Sequence, residues 1–185
     1  MNALYKNIHQ DLIDLCRQGD REAQFGLYKL YYKSMYNTGL RIVGNENDAE
    51  DIMQESFLSA FSRINSYEGK VSFGAWLKKI VINRSLDYLR KRKITFEEIN
   101  EKLADEEADP FEEVCETDIR KVREAIMKLP EGYRIVFSLY YLEGYDHDEI
   151  ATILKISSGS SRSQLLRAKK KLKSYLTNDK VFSMN

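Results

Sequence analysis

The apolar positions of this chain recur almost throughout with the period of an α-helix. Met53, Phe57, Ala60, Phe61 and Ile64 fall at i, i+4, i+7, i+8 and i+11, one inward stripe. Asp51, Gln54, Glu55 and Leu58 fall at i, i+3, i+4 and i+7 on the opposite side. A purely solvated face has no reason to carry Leu58 among carboxylates and an amide. The pattern therefore predicts a helix with one face for the core and one for a protein partner.

The same reading extends along the chain. A short helix is predicted over 9–18. A second follows Asp20 and runs to about Val43, with Phe25, Leu27, Tyr28, Tyr31, Tyr32, Met35 and Leu40 as its apolar bulk, closed by Gly44-Asn45. Asn47 is expected to cap the mixed-face helix, with Glu50 completing a capping box. That helix ends near Ile64, and a polar loop spans 65–71. From Ser72 to about Lys91, Phe73, Trp76, Leu77, Ile80 and Val81 form another stripe, which assigns Phe73 and Trp76 to the core. Residues 94–116 lose the periodicity and Pro110 interrupts them. It resumes with helices predicted at 117–128, 131–143 and 147–154, separated by Leu129-Pro130 and Gly144. Asp146 is an N-cap with Glu149 as its capping-box partner. After the turn Lys155-Ile156-Ser157, Ser157 caps a last helix reaching about Leu176. The fold class is all-α: two small helical domains, 1–93 and 117–177, joined by a linker at 94–116 and followed by a tail at 178–185. Only nine glycines and two prolines punctuate the 185 residues, which agrees with this.

Charge changes the picture more than composition does. The net charge is zero, yet residues 1–93 sum to +4, residues 94–118 to −10 and residues 119–185 to +6. Two basic segments thus flank an acidic one, and like charges as dense as those of the middle segment resist packing. Cys16 and Cys115 lie far apart and read as free thiols. No apolar run reaches membrane-span length and no signal-peptide pattern opens the chain, so a cytoplasmic protein without membrane insertion is expected. Catalytic patterns are missing. His9 and His147 have no metal-ligand partner at helical spacing, no glycine loop cradles phosphate, and the carboxylates of 48–55 lack the context of a metal site. The expectation is no enzyme, no metal, no cofactor and no small-molecule substrate.

What remains is recognition chemistry. Two short helices joined by a tight turn, the second of them basic, form a helix-turn-helix signature. In the second helix Ser161, Leu165, Ala168, Leu172 and Leu176 share an inward face. Ser163, Arg167, Lys170 and Ser174 face away, with Arg162 and Leu166 on the flanks. An arginine fork can bridge guanine O6 and N7, discriminating by ~1–3 kcal/mol, whereas Lys169, Lys170, Lys171 and Lys173 suit phosphates. In the helix over 72–91, basic residues interleave with aromatics as single-stranded nucleic acid requires, and Asn83 can hydrogen-bond a base edge.

At these positions the chain resembles a known family. Asp48-Ala49-Glu50-Asp51-Ile52-Met53-Gln54-Glu55-Ser56-Phe57 looks like the core-polymerase-binding helix of bacterial sigma factors of the sigma-70 family, extracytoplasmic-function (ECF) class. Phe73-Gly74-Ala75-Trp76-Leu77-Lys78-Lys79-Ile80, Asn83 and Asp87-Tyr88-Leu89-Arg90 resemble its promoter-melting helix. Leu129-Pro130-Glu131-Gly132-Tyr133-Arg134, Tyr141-Leu142-Glu143-Gly144, Glu149-Ile150-Ala151 and Gly159-Ser160-Ser161-Arg162-Ser163-Gln164-Leu165-Leu166-Arg167-Ala168 resemble its helix-turn-helix domain. The resemblance makes 1–93 region 2 and 117–177 region 4. It implies a factor that gives core RNA polymerase its promoter specificity. Asp48, Asp51, Gln54, Glu55 and Leu58 would dock on the β′ clamp helices. Tyr67, Lys79, Asn83 and Arg84, with the loop 65–71, would take the minus-10 element. Arg134, Arg162, Ser163, Leu166, Arg167 and Lys170 would meet the minus-35 element. The β flap and an anti-sigma factor are further partners it implies, and the acidic linker would thread polymerase channels as an RNA mimic. Two rival readings are a stand-alone helix-turn-helix regulator of duplex DNA and a polymerase-binding inhibitor. The mixed face argues against the first and the Arg-led recognition helix against the second. The chain departs from the family pattern at Ser160 and Ser161, usually threonine and a β-branched apolar residue. It departs again at Gln164 and Gly74, both often basic. These departures imply a different minus-35 preference or a looser helix start, and less positive charge beside Trp76.

Overall fold

The computed structural model describes residues 8–92 and 119–182, with side chains to residue 177. The predicted linker over 94–116 lies outside the described residues. The chain divides into two compact units, Met1–Ile94 and Thr95–Asn185. Every regular element among the described residues is helical.

The first unit contains α1 (Gln10–Arg17), α2 (Arg21–Val43), α3 (Glu46–Ser62) and α4 (Phe73–Lys91). Helix α2 packs against the other three, and α3 packs on α4. The Asp20 side chain caps α2 by accepting from the Ala23 N–H at 2.8 Å. Gly44 ends it in the left-handed region, φ 77°, which a side chain would resist. This sharp end lets the chain turn at once, so α3 begins earlier than expected. Its cap is Asn45, in extended conformation and accepting from the Asp48 N–H at 3.1 Å. Asn47 and Glu50 lie within the helix, and the capping box expected of them is absent.

The core comes from one row per helix. Leu27, Met35 and Ile42 of α2 meet Ala49, Met53, Phe57 and Ala60 of α3 and Phe73, Leu77, Val81, Leu86 and Leu89 of α4. Two serines sit among them without an energetic penalty. Ser56 donates to the Ile52 carbonyl at 2.6 Å and Ser85 to the Val81 carbonyl at 2.8 Å, which satisfies both hydroxyls inside their own helices. Past α3 the chain tightens into a 3₁₀ turn, Ile64–Ser66, before a short loop leads to the Ser72 cap of α4.

The second unit contains α5 (Ile119–Met127), α6 (Glu131–Phe137), α7 (His147–Leu154) and α8 (Ser158–Phe182). Helix α8 packs against α5, α6 and α7 and so organises the unit. The predicted helix over 131–143 proves to be two parts. After α6 the backbone widens into a π-helical turn, Ser138–Leu142, closed by the Glu143 N–H on the Ser138 carbonyl at 3.0 Å. The Asp146 capping box forms as predicted. Asp146 accepts from the Asp148 and Glu149 N–H groups while Glu149 accepts from the Asp146 N–H. Lys155 then takes a left-handed conformation, φ 57°, uncommon for a residue with a Cβ, and aims the chain into α8. Ser157 accepts from the Ser160 N–H at 3.0 Å, and α8 runs to Phe182, beyond the expected end near Leu176.

These assignments are open to measurement. Asn45→Ala should lower stability by about 1 kcal/mol, while Asn47→Ala should stay within about 0.5 kcal/mol of the parent. Urea unfolding followed by Trp76 fluorescence reads the first unit selectively, because Trp76 is the only tryptophan. Equal effects of the two substitutions would contradict the cap. In the same assay Leu77→Ala, which empties a fully buried site, should cost about 2–5 kcal/mol.

Candidate functional site

Helical periodicity places the mixed face of α3 where the sequence put it. Asp51, Gln54, Glu55 and Leu58 are all exposed, and Leu58 is 71 % exposed, one turn after Gln54 and Glu55. Asp48 is half-buried and accepts from Arg92 at 3.2 Å. Gln54 donates to Glu50 one turn back at 3.3 Å. An exposed leucine in this setting gains nothing from water.

The predicted nucleic-acid residues of α4 lie beside this face. A groove of about 710 Å³ runs between α3 and α4, with Asp48, Asp51 and Glu55 on one bank and Trp76, Lys79, Asn83 and Arg84 on the other. Arg84 donates to Glu55 across it at 2.7 Å. The sequence treated these as two separate surfaces, and the structure brings them together on one groove. Both side chains of that pair are substantially exposed, so it orients more than it stabilises. Further along the groove Asp48, Tyr88 and Arg92 form a cluster. Hydrogen bonding to the Asp48 carboxylate, and then burial, pushes the Tyr88 hydroxyl above its ordinary range. The Arg92 guanidinium lies over the Tyr88 ring, 5.6 Å from its centroid.

Two aromatic assignments change. Tyr67 was expected to offer its ring to DNA, but it is 2 % exposed and packs edge-on against Phe73. Its hydroxyl donates to the Val71 carbonyl at 2.6 Å, so it braces the loop from within. Trp76 was expected in the core, but it is only half-buried. It leans on Tyr67 and Phe73 while lining the groove. The sequence missed Arg17 of α1, whose guanidinium donates to the Tyr67 carbonyl at 2.8 Å and ties the loop to the helix bundle. No local signal marks such a contact between residues fifty positions apart. The glycine at 74 also finds its reason. A Cβ there would meet the Tyr31 ring at 2.9 Å, so a basic side chain would displace that tyrosine.

In the second unit, α8 buries Ser161, Leu165, Ala168 and Leu172, as its periodicity predicted. Arg162 and Lys170 are exposed, and Ser163, Leu166 and Arg167 are partly so. Arg134 departs from expectation. It is 8 % exposed and donates to the Leu129 carbonyl at 3.4 Å, inside the unit, so it is not placed to meet a phosphate. Burial lowers its basicity, with Glu131 opposing the change. Gln164 is buried as well, against Gly132, which explains why no basic residue stands there. The most informative contact is one the sequence did not suggest. His147, the first residue of α7, lies 2.9 Å through Nδ1 from the hydroxyl of Ser161. Its ring stacks on Tyr140 of the π turn, centroids 4.8 Å apart and planes 24° apart. The available signal was Ser161 itself, the polar member of the inward row that periodicity assigns together with Leu165, Ala168, Leu172 and Leu176.

Among the described residues no group of histidines, cysteines and carboxylates could hold a metal, and no helix is long and apolar enough to cross a membrane.

Comparison with known proteins agrees with both units. The family model described as Sigma-70 region 2 matches residues 27–94, and that described as Sigma-70, region 4 matches residues 119–172. The ECF RNA polymerase sigma factor SigM of Bacillus subtilis is 32 % identical over 153 residues, covering 80 % of this chain and 91 % of the relative. SigW of the same organism, also an ECF RNA polymerase sigma factor, is 27 % identical over 172 residues, covering 86 % and 92 %. Among solved structures, the sigma factor RpoE of Bartonella quintana, in complex with the anti-sigma factor NepR, superposes with a TM-score of 0.53 at 20 % identity. That match covers 82 % of this chain and 95 % of the other. CnrH, solved with the cytosolic domain of CnrY, gives a TM-score of 0.52 at 20 % identity, covering 92 % and 98 %. On the two family regions and on a 32 % identity spanning nearly the whole of a relative, this chain belongs to the sigma-70 family, as a sigma factor of the ECF class.

Proposed function

We propose that this sigma factor engages polymerase and promoter through three surfaces. A sigma factor of this class directs promoter-specific transcription initiation, and the stand-alone regulator is not favoured, because such a regulator has no use for a region 2. The outer face of α3, with Asp51, Gln54, Glu55 and Leu58, docks on the clamp helices of the polymerase β′ subunit, and Asp48 supports it from the groove edge. The observation that carries this is Leu58, exposed on a face otherwise made of polar groups.

The far bank of the groove takes the single-stranded minus-10 element. Lys79 and Arg84 supply charge, Asn83 a base-edge hydrogen bond, and Trp76 an aromatic wall. Extruding a base costs roughly a few kcal/mol, which a preformed pocket braced by Tyr67 and Arg17 can offset. The first turns of α8 enter the duplex major groove at the minus-35 element. Arg162, Ser163, Leu166 and Arg167 face the bases, and Lys170 the phosphates. The protein acts in the cytoplasm, without catalysis, cofactor or metal. An anti-sigma partner belongs to the same reading by likeness to the RpoE–NepR pair, and the β flap is a further polymerase contact.

Run-off transcription with core polymerase and a promoter library tests the whole reading. Promoter-specific transcripts should appear only with the factor present. Tight duplex binding by the factor alone, without such transcripts, would favour the rival regulator. Leu58→Asp should weaken core-polymerase binding at least about ten-fold in a fluorescence-anisotropy titration, with thermal stability unchanged, because the leucine makes no core contact. It is a cleaner probe than any change at Glu55, which would also disturb Arg84. Arg162→Ala should relax selection at the minus-35 element, by about five-fold or more, with core binding intact. Unaltered selection would remove Arg162 from the interface.

A further inference from the structure

We propose that His147 is a positioning residue for duplex recognition: its hydrogen bond to Ser161 sets the rotation and entry of the first turn of α8. The inference rests on the reading of α8 as the minus-35 reader.

The geometry is specific to this chain's own residues. Ser161 is fully buried at an inward position, one residue before Arg162 and two before Ser163. An apolar side chain there would hold α8 by packing, which has little directional preference. A hydroxyl held at 2.9 Å by a ring nitrogen fixes direction as well as distance. The ring is itself fixed from two other sides. It opens α7 behind the Asp146 capping box, and it stacks on Tyr140. Tyr140 reaches it from a widened π turn in which Tyr141 contacts both Tyr140 and Phe137 of α6. One imidazole thus joins the end of the α6 segment, the start of α7 and the start of α8.

The imidazole is suited to the task as a neutral ring. Burial first, and then the Arg162 guanidinium, lower its basicity, while Asp146 and Asp148 oppose them. Tyr140 faces it from the π turn and Ser161 from α8. With the proton on Nε2, Nδ1 accepts from the Ser161 hydroxyl. The other nitrogen assignment would make Ser161 the acceptor and leave its own proton to find a partner in the buried interior.

The test uses the full chain with core polymerase and a minus-35 element selected from a random library by that holoenzyme. Discrimination is the ratio of affinities for the selected and a substituted minus-35 element. A parallel ratio at the minus-10 element serves as control. His147→Phe keeps the stacked ring but removes the acceptor. Its minus-35 discrimination should fall about five-fold, with minus-10 discrimination unchanged. Ser161→Ala should give a similar loss, and the double variant no more than either single one. Nitrogen-15 spectra of the histidine-labelled protein, with only two histidines to assign, should show an unprotonated, hydrogen-bonded Nδ1 on His147 at neutral pH. A protonated Nδ1 would overturn the assignment, even if His147→Phe failed to fold. Full discrimination in both single variants, alongside its loss in Arg162→Ala, would overturn the positioning role alone. If Arg162→Ala also kept full discrimination, the minus-35 reading of α8 would fall instead.

Discussion

A helix can bury one stripe of side chains and must leave the opposite one outside, and this constraint governs every functional surface of the protein. At 3.6 residues per turn the two stripes are locked together. Fixing Phe57 and Ala60 in the core fixes Leu58 and Glu55 in the open. Fixing Leu165 and Ala168 in the second unit likewise fixes the outward direction of Arg162 and Lys170. Burial of the inner rows is thus what aims the outer ones.

Small polar devices refine that register where apolar packing alone would be imprecise. Gly44 and Asn45 set the start of α3, and with it the phase of its outer face. Arg17 and the Tyr67 hydroxyl hold the loop before α4 from two sides. In the second unit the Asp146 capping box and the His147–Ser161 contact act at the starts of α7 and α8. Each of these involves a directional hydrogen bond at or near a helix terminus, where backbone groups are otherwise unpaired.

The groove between α3 and α4 sets two charged surfaces of the first unit against each other. Acidic groups from α3 and basic groups from α4 face each other across it, with Arg84 already bonded to Glu55. Opposed charges at this distance partly neutralise the attraction of the basic bank for nucleic acid. On the proposed reading, a protein partner on α3 and a strand along α4 would act on neighbouring side chains.

The sequence alone determined the all-helical class, the mixed face of α3, the Asp146 capping box and the outward row of α8. These are local properties, set by periodicity and by residues within one turn of each other. Family resemblance supplied the roles. The tertiary structure decided what depends on residues far apart in the chain. It turned Tyr67 and Arg134 inward and Trp76 half outward, because the space beside each is set by other helices. It moved the α3 cap to Asn45, because the preceding helix ends in a left-handed glycine. It widened the end of the α6 segment into a π turn, with Tyr140 against His147. It also paired Glu55 with Arg84 and Ser161 with His147, contacts between residues that one-dimensional spacing cannot bring together. Periodicity tells which way a side chain faces, but only packing decides what stands in front of it.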